Sequence, residues 1–107
     1  MAKRKISPRG QRRLLARDTA KLVHERQRLA RLEVGGSLER PIVVGSASLV
    51  EAQAGSIPCP LCGEGVRVLE HAAETIDNVR LRIARVACTR CGALRSLYFQ
   101  IAPSLPN

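Results

Sequence analysis

The chain has four cysteines, in two pairs of the same form: Cys59-Pro60-Leu61-Cys62-Gly63 and Cys88-Thr89-Arg90-Cys91-Gly92. With two residues between them, one tight turn can aim both sulfurs of a pair at a single point. The glycine after each second cysteine permits the positive φ that such turns use, and lets backbone N–H groups approach the thiolates. Two corners of this kind facing each other make the tetrahedral thiolate cage that Zn²⁺ prefers, with metal–sulfur distances of about 2.3 Å. Four protein thiolates leave no open position for water or substrate, so one ion held this way is structural. Its binding energy is then folding energy for the surrounding chain.

Other chemistries use the same residue type. Two disulfides suit a secreted chain, but the paired Cys-x-x-Cys form in a reducing compartment favours metal. A thioredoxin-like redox site has one such pair opening a helix, whereas strand patterns follow both pairs here. Iron of the rubredoxin type is held by the same four thiolates and stays open.

The 25 residues between Cys62 and Cys88 exceed the commonest spacing of about 15–20 for a four-cysteine site. Strands of roughly nine residues out and back, joined by a turn, would span the excess and return the chain to the same ion. The sequence reads that way. Val66 and Val68 alternate with Arg67 and Leu69, and the stretch 66–74 is predicted to extend. Thr75-Ile76-Asp77-Asn78 supplies turn residues. Val79, Leu81 and Ile83 alternate with Arg80, Arg82 and Ala84 until the phase slips at Arg85, which predicts a bulge. After Gly92 a third strand has Leu97, Phe99 and Ile101 on one side and Ser96, Tyr98 and Gln100 on the other.

On these residues the stretch 57–102 resembles the zinc-ribbon family. The resemblance implies a metal-organised fold and leaves function open, because such ribbons occur in transcription factors, polymerase subunits, ribosomal proteins, nucleic-acid enzymes and protein-docking modules.

The first part of the chain has a different character. Residues 1–40 hold twelve Lys/Arg against four Asp/Glu, net +8, and residues 41–107 hold six against five, net +1. That asymmetry points to a polyanionic partner for the first segment. Ser7-Pro8 is a helix opening, and from Gln11 to Val34 there is no Gly or Pro before the stop at Gly35-Gly36. Leu15, Leu22 and Leu29 recur every seven residues, with Arg26 interrupting their stripe. One reading docks this stripe on the chain's own small domain; others make the helix a basic arm for nucleic acid or a helix that pairs with another chain. The phosphate-contact candidates are Arg9, Arg12, Arg13, Arg17, Lys21, Arg28 and Arg31 on the arm and Arg80 and Arg82 on the second strand. Arg90 and Arg95 adjoin the second knuckle, where guanidinium groups offset a thiolate cluster.

Tyr98 and Phe99 are the only aromatics, so stacking on bases has little to work with. Any nucleic-acid binding is expected to be backbone-directed and salt-sensitive, with little sequence readout. No phosphate-cradling Gly-rich loop or nucleophile motif is present, and His24 and His71 read as surface residues, so no catalytic residues and no enzymatic activity are expected. The charged start lacks a following 7–15-residue apolar stretch, and nothing reaches 18 apolar residues, which points to a cytoplasmic protein, neither secreted nor membrane-spanning. An Arg-rich organellar transit peptide shares that composition.

The expected architecture is small α+β: a basic helical arm over 1–36, a linker with a short strand at Pro41–Val44 over 37–56, a three-stranded antiparallel zinc ribbon over 57–102, and a tail over 103–107. Residues 46–54 fit either a helix or a second extended piece. The expected functions are nucleic-acid binding in transcription or translation, or a protein–protein adaptor using the ribbon and the leucine face.

Overall fold

The computed structural model describes residues 7–103; the basic start at 1–6 and the tail from 104 onward lie outside the described residues. The elements are α1 (Pro8–Leu32), β1 (Ile42–Val44), α2 (Ser48–Ser56), β2 (Val66–Ile76), β3 (Val79–Cys88) and β4 (Leu94–Ile101).

Helix α1 opens as its sequence dictates. The Ser7 hydroxyl accepts from the Gly10 N–H at 3.0 Å, and Pro8 takes the first helical position. At the other end Gly35 adopts φ 88, and Arg40 Nη1 donates to the orphan carbonyl of Leu32 at 2.8 Å.

Strands β2 and β3 form the expected hairpin, but the turn closes on two residues. Ile76 pairs with Val79, and Asp77 and Asn78 take φ 50 and 65. Two consecutive positive φ values make the hairpin turn whose twist matches the strands, and Asp and Asn tolerate them best after Gly. The phase slip near Arg85 is real: Leu81 is buried, and then Ala84, Val86 and Cys88. The extra residue lies across the ladder. Val68 pairs with Val86 and Glu70 with Arg85, which leaves Leu69 of β2 as the bulge.

The sheet departs from a three-stranded antiparallel ribbon. Its order is β1-β4-β3-β2, and β1 joins β4 in parallel, with Ile42 beside Phe99 and Val44 beside Ile101. A second helix, α2, forms over residues 48–56 and packs on β2 and β3. The segment read as a linker therefore supplies Val44, Val50 and Ala54 to the core, where they meet Ala84, Val86, Leu97 and Phe99. Val50 and Ala54 stand four apart on one side of α2, both fully buried. This helix shields one face of a sheet that has few large side chains to shield itself.

The α2-covered face also takes in His71, read from the sequence as a surface residue. It pairs with Ala84 across the ladder, its side chain is only 14% exposed, and its Nδ1 lies 3.5 Å from Glu51 Oε1 on α2. Its Nε2 is buried and has no hydrogen-bond partner among the described residues.

Helix α1 does not lay its leucines on the sheet. Leu15, Leu22 and Leu29 are 65%, 51% and 54% exposed, and Ala30 is the buried residue of the helix. The molecule measures 79 × 26 × 19 Å. A helix of 25 residues is about 37 Å long and an 11-residue strand about 36 Å. Such a long axis places the helix and the sheet end to end. Among the described residues no helix is long and apolar enough to cross a membrane.

Candidate metal centre

The four cysteines converge. Their sulfurs all lie within 4.8 Å of one another, with Cys59 Sγ 3.7 Å from Cys91 Sγ and Cys62 Sγ 3.3 Å from Cys88 Sγ. A tetrahedron with metal–sulfur bonds of about 2.3 Å has edges of about 3.8 Å. The donor set and its spacing therefore fit a single metal ion such as zinc.

Each knuckle is built by the same local bonds. Gly63 N–H donates to Cys59 O at 2.8 Å, and Cys59 N–H to Glu64 O at 2.9 Å. In the second knuckle Gly92 N–H donates to Cys88 O at 3.2 Å, and Cys88 N–H to Ala93 O at 2.9 Å. Gly63 and Gly92 take φ 77 and 74, the left-handed conformation anticipated from their positions. The knuckles are joined by Thr89, whose N–H and hydroxyl both donate to Gly65 O, at 3.1 and 3.0 Å. In each pair the first cysteine is buried and the second exposed, so the centre sits at the rim of the sheet with one side open to water.

Backbone N–H groups point at the sulfurs as donors. Leu61 N–H reaches Cys59 Sγ at 3.4 Å, and the N–H groups of Arg90 and Cys91 both reach Cys88 Sγ at 3.4 Å. Donation to a thiolate favours the charged form. The Cys88 thiol is accordingly lowered to about 6, chiefly by the Cys91 N–H, against burial and with help from the Arg90 N–H. At Cys62 the Glu64 N–H lowers the value, but the crowding thiol of Cys88, burial, and Cys59 and Cys91 outweigh it and push the thiol up to about 12. Cys91 is also raised: the Ala93 N–H lowers it, and burial with the thiols of Cys88 and Cys59 overcomes that.

Such a cluster holds protons where a cation would sit. At pH 7 Cys62 and Cys91 keep theirs while Cys88 is mostly ionised, so metal uptake should expel at least two protons. Metal affinity should then fall by about 100-fold or more per pH unit on acidification from pH 7, and more steeply below about 6, where Cys88 too must give up a proton. Calorimetry of zinc binding in buffers of different ionisation enthalpy counts these protons, and fewer than two would contradict the division among the thiols.

The two arginines that flank the centre both reach oxygen partners. Arg90 Nη1 contacts Glu64 Oε1 of the other knuckle at 3.3 Å. Arg95 is half-buried and donates to Ala30 O of α1 at 3.2 Å. Burial lowers its guanidinium below the usual value, while Glu33 and Cys59 oppose the shift.

The arm residues Arg9, Arg12, Arg13, Arg17, Lys21, Arg28 and Arg31 are all exposed on α1. Arg80 is exposed and Arg82 half-buried. They sit near the hairpin turn, with Arg82 six residues, or about 20 Å, along β3 from Cys88. Arg67 pairs with Ala87 and so points to the opposite face from Arg82. The structure thus brings the cysteines together and leaves the arm and the Arg80/Arg82 pair at different ends of the sheet. Sequence reading missed Arg26, whose Nη1 donates to Leu61 O inside the first knuckle at 2.6 Å. Its position in the leucine stripe, where a charge is out of place, was the available clue.

No protein-family model matches the chain, and neither a curated protein nor a solved structure matches it.

Proposed function

We propose that this is a nucleic-acid-binding protein whose sheet is organised by one structural zinc ion on Cys59, Cys62, Cys88 and Cys91. Phosphate contacts come mainly from α1, they read backbone and not base sequence, and the protein carries out no catalysis. A place in a transcription or translation assembly fits this reading.

The observation that supports it is the helix itself. At 3.6 residues per turn Arg9, Arg13, Arg17, Lys21, Arg28 and Arg31 share one side of α1, roughly opposite Leu15, Leu22 and Leu29. All six are exposed, and of them only Arg28 lies within ion-pair distance of a carboxylate among the described residues, 3.5 Å from Glu25. A cationic row on a helix that stands clear of its own domain suits a polyanion. Four thiolates on one zinc leave no coordination site for a reacting ligand. Tyr98, half-buried in the sheet, is the one aromatic placed to add a stacking contact.

The test is equilibrium binding of the zinc-loaded protein to short DNA and RNA duplexes and single strands across a salt series. Engagement of six cations should weaken binding by about a thousandfold between about 50 and 200 mM salt. Arg13→Glu with Arg17→Glu should weaken it on all sequences alike. Salt-independent binding, or none in either range, would remove the reading. The exposed leucine row favours a second reading, a protein adaptor. It predicts partner capture that survives salt and is lost in Leu22→Asp.

A further inference from the structure

Along most of its length α1 meets nothing else in the molecule, and its direction is set by its last turns. Four attachments act there, one of them the Arg40 Nη1 bond to Leu32 O. Arg26 Nη1 donates to Leu61 O at 2.6 Å, and Arg95 Nη2 donates to Ala30 O at 3.2 Å. Gly36 presses against the same carbonyl so closely that an added Cβ would lie 2.0 Å from Ala30 O. Its neighbour Gly35 accepts from the Tyr98 N–H of β4 at 2.9 Å, which moors the end of the helix to the sheet.

The Arg26 attachment differs in kind from the others. Leu61 belongs to the turn between Cys59 and Cys62, and its own N–H donates to Cys59 Sγ at 3.4 Å. The turn that carries its carbonyl is closed by the Gly63 N–H on Cys59 O at 2.8 Å, and both of its cysteines face the sulfurs of the other knuckle. The Arg26 side chain is the link between that turn and the helix.

We infer that the metal centre sets the direction of the basic helix: closing the cysteine cage fixes the Leu61 carbonyl, and Arg26 transmits that position to α1. From Arg26 to Ser7 the helix is a lever of about 28 Å, so a swing of about 20° at its base moves the tip by about 10 Å. A loaded centre holds the cationic row on one line relative to the sheet. An empty centre loosens the knuckle turn and with it one of the four attachments. The device is a coupling between metal occupancy and arm orientation, and it does not depend on what the arm binds.

Coupling of this kind is reciprocal: if the metal steadies the helix through Arg26, then Arg26 must strengthen metal binding by the same factor. Arg26→Ala in the full chain should therefore lower zinc affinity, measured by competition with a chelating indicator, by about fivefold or more. In the zinc-loaded variant, hydrogen exchange at residues 26–36 should quicken while the β3 amides keep their wild-type protection. Arg31→Ala removes the same charge from the same end of the helix without touching Leu61, and should change neither quantity. An Arg26→Ala protein with unaltered zinc affinity, or with unaltered exchange over 26–36, overturns the inference. So does an Arg31→Ala protein that reproduces both losses, because the effect would then be one of general charge. Polyanion affinity enters none of these readouts, so failure of the nucleic-acid reading leaves the result intact.

Discussion

Cys88→Ser is expected to lose its metal and, with it, the folded sheet. Cys88 ends β3, pairs with Val66 at the start of β2, and donates its N–H to Ala93 O at the approach to β4. The three strands of the hairpin sheet therefore converge on this one residue. Its sulfur is also the best-supplied with donors, from Arg90 and Cys91. Structural zinc contributes on the order of 10–16 kcal/mol of apparent binding energy in small zinc domains. Small domains have total stabilities of about 5–15 kcal/mol. On the proposed zinc reading, loss of the ion therefore removes an energy comparable to the whole stability of a domain this size. Zinc per chain and the far-ultraviolet circular dichroism should both fall, and chelation of the wild type should give the same spectrum. A Cys88→Ser protein with one zinc per chain and a native spectrum would show that the cage is not what organises the sheet.

The second large effect is expected at Phe99. It is fully buried and is the bulkiest side chain in the core. It pairs with Arg82 of β3 on one side and Ile42 of β1 on the other, so it fastens the parallel strand to the antiparallel ones. Truncation of a buried Phe to Ala costs about 3–5 kcal/mol through lost transfer energy and the cavity left behind. No other aromatic can close that cavity, because Tyr98, the only other one, belongs to the opposite alternation of β4. Phe99→Ala should lower the denaturation midpoint of the zinc-loaded protein sharply without changing its metal content. Tyr98→Ala, at a half-buried position, should cost clearly less. Equal losses at the two positions would mean that the core is not where the buried surface places it.

Local chemistry made the metal centre and the hairpin legible. Two residues between cysteines, a glycine after each pair, and alternation over residues 66–69, 79–84 and 96–101 are short-range patterns that physics converts directly into knuckles and strands. Helix α1 was legible for the same reason, from Ser7-Pro8 to Gly35-Gly36. What sequence could not supply was pairing between distant segments. Ile42–Val44 reads as a strand, but nothing in those residues says that Phe99–Ile101 is their partner or that the pairing is parallel. The helix over 48–56 was one of two readings, because its burial rests on only Val50 and Ala54 while Leu49 stays exposed. His71 was misplaced because its environment is made by α2, an element whose existence was itself undecided. Arg26 read as a break in the leucine stripe and Arg95 as charge balance beside a knuckle, since a carbonyl acceptor on a remote segment leaves no trace in local spacing. The function is the least legible part. A row of cations specifies the sign of a partner and little else.

The bulge at Leu69 bears on how the protein avoids pairing with other copies of itself. Strand β2 forms the outer edge of the sheet, eleven residues long, with a full row of main-chain groups facing outward. A straight edge of that length is a template on which a second chain can add a strand, and repeated addition leads to aggregates. One extra residue near its middle twists the edge and breaks the register that an incoming strand must match. With Glu70 and Glu74 exposed along the same edge, the chain carries built-in resistance to edge-to-edge association. On the proposed zinc reading, that protection matters most before the ion is bound.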